Sequence, residues 1–137
     1  MGRFTIEFEV ANYDDLAQAR AGNLAPAKVR RMQIEGVVDT GATRLVLPRK
    51  AVKELGLPVK GKVKVRYADG RRALRTEVEA VYVEILGRHN VFSAVVEPKR
   101  KNALIGAIVM EDLDFVIDPV RMRLVPRDPR FVISELE

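Results

Sequence analysis

The sequence predicts a mainly β fold: a closed or partly closed barrel with two short helices and one long hairpin. Three observations support this prediction. Short stretches of alternating apolar and polar residues recur along the chain, turn residues separate them at regular spacing, and helical periodicity is confined to two short segments. With 137 residues, 47% of them hydrophobic, the chain is expected to form one domain over residues 1–137.

The first half of the chain begins with an alternating strand over residues 4–10. Residues 12–27 lose the pattern and are interpreted as a loop insertion, with at most a short helical turn over residues 14–20. Residues 28–38 form the next predicted strand, and residues 43–47 follow as another. The first helix is predicted over residues 48–55, because Pro48 suits a helix start and Gly56 suits its end.

A long hairpin comes next, with alternating strands on either side of Asp69-Gly70, a dipeptide typical of tight hairpin turns. Residues 87–90 are predicted as a second turn between further strands. Residues 103–106 read as a short buried strand ending in Gly, and residues 107–113 as the second helix, with Ile108, Val109 and Leu113 inward. Residues 115–118 and 122–125 predict a closing hairpin.

The C-terminal tail, residues 126–137, contains an apolar segment at residues 131–134 between Pro129 and the chain end. An apolar strand at a terminus of a small domain is poorly hidden within one chain. We therefore expect this segment to form a strand that pairs with a second chain.

Composition excludes several classes of protein. The net charge of +5 is spread over the chain, which favours a solvated surface rather than a nucleic-acid site. No apolar stretch approaches the roughly 18 residues of a membrane span, so no membrane partner is expected. The sequence contains no cysteine, which is consistent with a cytoplasmic protein.

The main candidate site is Asp39-Thr40-Gly41-Ala42, which lies between the apolar runs Val37-Val38 and Leu45-Val46-Leu47. A carboxylate between two apolar strands must be satisfied by neighbours or serve chemistry. Gly41 lets the backbone turn tightly. Asp-Thr-Gly is also compatible with an ordinary turn.

Together with its surroundings, this motif resembles the retropepsin-like aspartic proteases, with a flap tip like that of bacterial members. The resemblance covers roughly residues 34–125 in order: the Asp39-Thr40-Gly41 motif, the helix after Pro48, a flap hairpin at residues 67–73, and Leu104-Ile105-Gly106 beneath the catalytic loop. Thr43 and Ala107 depart from the family pattern. The resemblance implies an acid-protease barrel.

The resemblance also implies a function. The chain carries one Asp-Thr-Gly, so an active site requires a homodimer with one Asp39 from each subunit. The two carboxylates would share a proton and activate a water that attacks a peptide bond, with no metal and no cofactor. Thr40 and Gly41 would complete the catalytic loop. The expected substrate-binding residues are Ala42, Tyr67, Ala68, Asp69, Gly70 and Ile105.

Two other functions are also compatible with the sequence. The same fold without activity would be a dimerisation or peptide-binding module, which a response to a transition-state-mimicking inhibitor would distinguish. A basic RNA-binding barrel would show affinity that falls steeply with salt, but 6% aromatic residues disfavour it. His89, the acidic residues between 111 and 118, and the basic loop 99–101 are interpreted as surface features.

Overall fold

The computed structural model describes residues 3–137. Nine strands dominate it, which confirms the mainly β prediction. The strands are β1 (Phe4–Asn12), β2 (Arg31–Val38), β3 (Leu45–Pro48), β4 (Val59–Arg66), β5 (Arg72–Ile85), β6 (Arg88–Glu97), β7 (Ala103–Ile105), β8 (Phe115–Asp118) and β9 (Arg123–Pro126). The helices are α1 (Tyr13–Arg20), α2 (Arg49–Leu55) and α3 (Ala107–Asp112), with a 3-10 turn at Pro26–Lys28.

Six strands close a barrel in the order β1-β2-β7-β3-β6-β5, and β5 pairs back onto β1. Closure is visible at Val10, which lies opposite Met32 on β2 and opposite Val83 on β5. The short β7 fits between β2, to which it is parallel, and β3, to which it is antiparallel. Val10 and Val83 are fully buried in the barrel core. Closure removes the sheet edges that would otherwise be exposed.

Strand β4 lies outside this ring and, within residues 3–137, pairs with β5 alone. The two strands form the predicted long hairpin, which projects from the barrel. Its turn is closed by hydrogen bonds from the Gly70 N–H to the Tyr67 carbonyl (2.9 Å) and from the Tyr67 N–H to the Arg71 carbonyl (2.8 Å). Gly70 has φ +88°, a left-handed conformation that glycine adopts without steric cost.

The expectation that residues 12–27 form a loop is wrong, since this segment contains the eight-residue helix α1. The Asn12 side chain caps it by accepting a hydrogen bond from the Asp15 N–H at 3.0 Å. Arg30 then binds Asp15 through its side chain and its backbone N–H. The helix buries none of its residues, so it has no apolar face for sequence periodicity to detect. The described chain thus has three α-helices rather than two.

Two smaller expectations also need correction, and one stays a prediction. Residues 131–134 form no strand in the single chain, where Phe131 is 70% exposed, and their pairing with a second chain is the part that stays a prediction. In α3, Ile108 is exposed, while Val109 and Met110 point inward. The second turn is shorter than expected, because Arg88 already begins β6. No helix within residues 3–137 has the length and apolar character needed to cross a membrane.

Candidate active site

The candidate catalytic loop begins where β2 ends, and backbone hydrogen bonds fix it in place. The Asp39 N–H donates to the Ile105 carbonyl at 3.1 Å, which continues the parallel pairing of β2 and β7. The Asp39 carboxylate accepts from the Gly41 N–H at 2.9 Å, and the Asp39 carbonyl accepts from the Ala42 N–H at 3.2 Å. The loop therefore forms a compact turn that holds the carboxylate at its start.

The start of α3 supports the far side of this loop. The Ala107 N–H donates to the Ala42 carbonyl at 2.8 Å, and the Ile108 N–H donates to the Thr43 carbonyl at 2.9 Å. Gly106 makes this contact possible: a Cβ there would lie 2.5 Å from the Arg44 carbonyl oxygen and 2.7 Å from the Thr43 carbonyl carbon. Both neighbours are backbone atoms, which cannot swing aside, so the site requires glycine.

Asp39 is accessible at the surface of the single chain, with 19% of its side chain exposed. Thr40 and Gly41 beside it are also exposed. The Arg3 guanidinium lies 3.3 Å from the second carboxylate oxygen, on a side chain that is 69% exposed. An ion pair this exposed is weak, so Arg3 does not prevent the Asp39 carboxylate from binding other groups.

A second ion pair, which no local pattern in the sequence indicates, joins the end of the candidate catalytic loop to the hairpin. Arg44 donates to the Glu77 carboxylate, and Lys60 lies 3.9 Å from the same oxygen. Glu77 is buried, with 7% of the residue exposed. The hydrogen bond from Arg44 lowers the pKa of Glu77 from its ordinary 4.5 and outweighs the opposing effect of burial. Glu77 is therefore charged at neutral pH and ties β5 to the loop.

Side chains also hold the hairpin near its turn. The Tyr67 hydroxyl donates to one oxygen of Glu97 at 2.5 Å, and Arg75 donates to the other at 2.5 Å. Burial raises the pKa of Tyr67, and the hydrogen bond to Glu97 adds to this rise. Arg71 lies over the Tyr67 ring, 4.8 Å from its centroid. The base of the turn is thus anchored to the end of β6, while Ala68, Asp69 and Gly70 are exposed at its tip.

The structure brings the three expected catalytic residues into one loop, but it changes the role of two expected substrate-binding residues. Ile105 is fully buried, so its side chain cannot contact a substrate; its carbonyl supports Asp39 instead. The Ala42 N–H and carbonyl are both engaged within the loop and α3, and its methyl group is half-buried.

The other candidate features have structural partners. His89 lies exposed on β6, and its ring stacks on the Tyr82 ring with 5.5 Å between the two centroids. Asp114 binds Arg127 and the Ile133 N–H, and Asp112 accepts from an amide on β6. No group of three potential metal ligands is present within the described part of the chain. Arg100 of the basic loop folds back onto neighbouring carbonyls.

Comparison with known proteins places this site in a family. Residues 25–112, more than half of the chain, match the family model described as gag-polyprotein putative aspartyl protease. The fold is similar to that of EIAV protease in complex with the inhibitor HBY-793, with a TM-score of 0.57 and 17% sequence identity over 82% of this chain and 88% of that one. No curated protein matches the sequence.

The family model spans the Asp39 loop, the hairpin and the glycine that supports the loop, which are the features that the resemblance rested on. The structural likeness, at 17% identity, is evidence for the fold alone and agrees with the closed barrel. On the family match, the chain belongs to the retroviral-type aspartic proteases described as gag-polyprotein putative aspartyl proteases.

Proposed function

We propose that this chain is one half of a homodimeric aspartic endopeptidase, with Asp39 of each subunit meeting at a twofold axis. The observation that carries the proposal is the braced, exposed loop that presents one carboxylate at the end of β2. The sequence has one Asp-Thr-Gly, so a pair of catalytic carboxylates needs two chains. A cytoplasmic location is part of the proposal and is consistent with a sequence that contains no cysteine.

In the proposed dimer, two carboxylates about 3 Å apart cannot both ionise, so they share one proton. The ionised carboxylate removes a proton from a bound water as that water attacks the scissile carbonyl. The protonated one donates a hydrogen bond to the carbonyl oxygen and stabilises the charge that develops there. Thr40, exposed beside Asp39, would hydrogen-bond across the axis and hold the two loops together.

The substrate would be a peptide in extended form, covered by the hairpin. Ala68, Asp69 and Gly70 form the exposed tip and would add backbone hydrogen bonds to it, as a strand does when it joins a sheet. Tyr67 would line the cleft from the base of the tip, since Glu97 fixes its hydroxyl. Arg3 would release Asp39 when the second carboxylate arrives, because the Arg3 side chain is largely solvent-exposed.

The proposal is tested by mixing wild-type protein with Asp39→Asn protein at constant total concentration. If each site needs two Asp39 carboxylates and the subunits exchange freely, cleavage of a peptide library falls as the square of the wild-type fraction. Mass spectrometry reads the products, and sedimentation confirms that the variant still dimerises. If the subunits exchange freely, a linear fall would show that one chain acts alone, and cleavage by pure Asp39→Asn protein would reject the mechanism. A dimer in which neither form cleaves or binds a transition-state mimic would indicate a silent module.

A further inference from the structure

The outer face of the hairpin carries a row of cationic side chains that the proposed chemistry does not use. From Lys60 to Arg66, exposed and half-buried residues alternate along β4, and the exposed residues of this stretch are Lys60, Lys62, Lys64 and Arg66. Arg72 lies opposite Arg66 on β5 and extends the row. Residues of one strand face are about 7 Å apart, so these charges form a straight, evenly spaced line.

This row is where the chain concentrates its charge. Residues 59–77 contain seven Lys and Arg and two Asp and Glu, a net charge of +5, which equals the formal net charge of the whole chain. The two acids are already engaged, Asp69 by Arg71 and Glu77 by Arg44. Among residues 3–137, no carboxylate lies within 4 Å of the charged groups of Lys64, Arg66 or Arg72. The sequence-based view that the charge is evenly spread therefore needs correction.

The same strand has an open hydrogen-bonding edge. Strand β4 ends the sheet order, so its edge away from β5 pairs with no strand in the part of the chain that the structure describes. An extended segment of another protein can add to such an edge through backbone hydrogen bonds. Alternate side chains of that segment would then lie beside Lys62, Lys64 and Arg66, where opposite charges stabilise cross-strand pairs.

We infer that β4 is a docking strand for an acidic, extended segment of the protein substrate, outside the residues that occupy the cleft. The inference rests on the proposed function for the identity of the partner as a substrate. The chemistry favours a peptide over single-stranded nucleic acid, because the row contains no aromatic side chain on which bases could stack. The preferred segment carries Asp or Glu at every second position.

Binding is measured on Asp39→Asn protein, so that the result does not depend on cleavage. The probes are a fluorescent peptide with Glu at alternate positions, its permutation with all Glu in one block, and an oligothymidylate. The test variant is Lys62→Gln/Lys64→Gln/Arg66→Gln. The matched control is Lys28→Gln/Lys50→Gln/Lys53→Gln, which removes the same charge from exposed positions outside the hairpin.

Asp39→Asn protein with an intact β4 is expected to bind the alternating peptide more tightly than the block peptide. Its affinity for the alternating peptide should be at least about tenfold higher than that of the test variant. The control variant should stay within about twofold. In active protein, fusing the alternating segment to a cleaved peptide should raise kcat/KM, and the test variant should abolish that gain. If the wild-type protein cleaves no peptide while this binding persists, the proposed function fails and the docking strand stands.

Four results would overturn the inference. Equal losses in both triple variants would show that net charge alone attracts the peptide. Tighter binding of oligothymidylate with the same dependence on the row would assign the face to nucleic acid. Peptide binding with no gain in kcat/KM, in protein that does cleave peptides, would separate the face from the substrate. No peptide binding, with aggregation of the test variant, would show that the cations serve to keep an edge strand from self-association.

Discussion

The loop that carries Asp39 and the hairpin of β4 and β5 are held in place by different kinds of interaction. The loop is fixed by main-chain hydrogen bonds from Asp39, Ala107 and Ile108, and by a glycine packed against backbone. The hairpin projects from the barrel and is held by the side chains of Glu77 and Glu97. Backbone contacts leave a structure few alternatives, whereas partly exposed ion pairs between side chains are weaker. We therefore expect this small domain to combine a fixed half and a half that can open.

The largest expected effect comes from breaking the fixed half at Gly106. In Gly106→Ala, the new methyl group would lie 2.5 Å from the Arg44 carbonyl oxygen, and the loop must shift to make room. We expect the free energy of unfolding to fall by about 3 kcal/mol. Urea denaturation followed by circular dichroism measures the loss.

The control for this change is Gly61→Ala on β4, where a Cβ meets nothing within 4 Å. It should change the free energy of unfolding by less than about 1 kcal/mol. Equal losses in the two variants would show that the loop is not as tightly packed as the contact at Gly106 indicates.

A smaller effect is expected where the two halves meet, at the Arg44–Glu77 pair. Glu77→Gln removes one charge of a partly exposed pair and should cost about 1 kcal/mol at pH 7. The pKa of Glu77 is lowered in the folded state, so its contribution is complete above the ordinary value of 4.5 and is lost as the pH falls through the folded value. The difference between wild-type and variant should therefore shrink toward pH 3.

Unfolding curves at pH 7, 5, 4 and 3 test this, with Glu79→Gln as the control. Glu79 lies on the same strand but is exposed, so its variant should follow the wild-type curve at every pH. A Glu77→Gln difference that stays constant with pH would show that the charge of Glu77 does not stabilise the fold.

Much of this arrangement was predictable from sequence, because local patterns encode it. Alternation and the Asp69-Gly70 turn predict the hairpin, and the apolar runs around Asp39 predict the loop between buried strands. The supporting position of Gly106 was also predictable, but from the family resemblance rather than from a local pattern.

Two of the missed features depend on contacts that are distant in sequence. Glu77 lies 33 residues from Arg44, and Tyr67 lies 30 from Glu97. Helix α1 depends on a cap and on Arg30 rather than on an apolar face. The pairing of the C-terminal tail with a second chain, and the assignment to bacterial members on the flap tip, stay predictions.

The smallest expected effect is local and lies in the movable half. Glu97→Gln weakens the hydrogen bonds that Tyr67 and Arg75 make at the base of the flap. The barrel does not depend on these bonds, so the midpoint of urea unfolding should stay unchanged. Opening of the tip should become easier, and trypsin should cut after Arg71 or Arg72 roughly three to ten times faster, the equivalent of about 0.7 to 1.4 kcal/mol, or one ordinary hydrogen bond. Glu79→Gln should be cut at the wild-type rate. An unchanged cleavage rate in Glu97→Gln would mean that pairing between β4 and β5 alone holds the hairpin. The hairpin and the Asp39 loop would then differ in exposure but not in mobility.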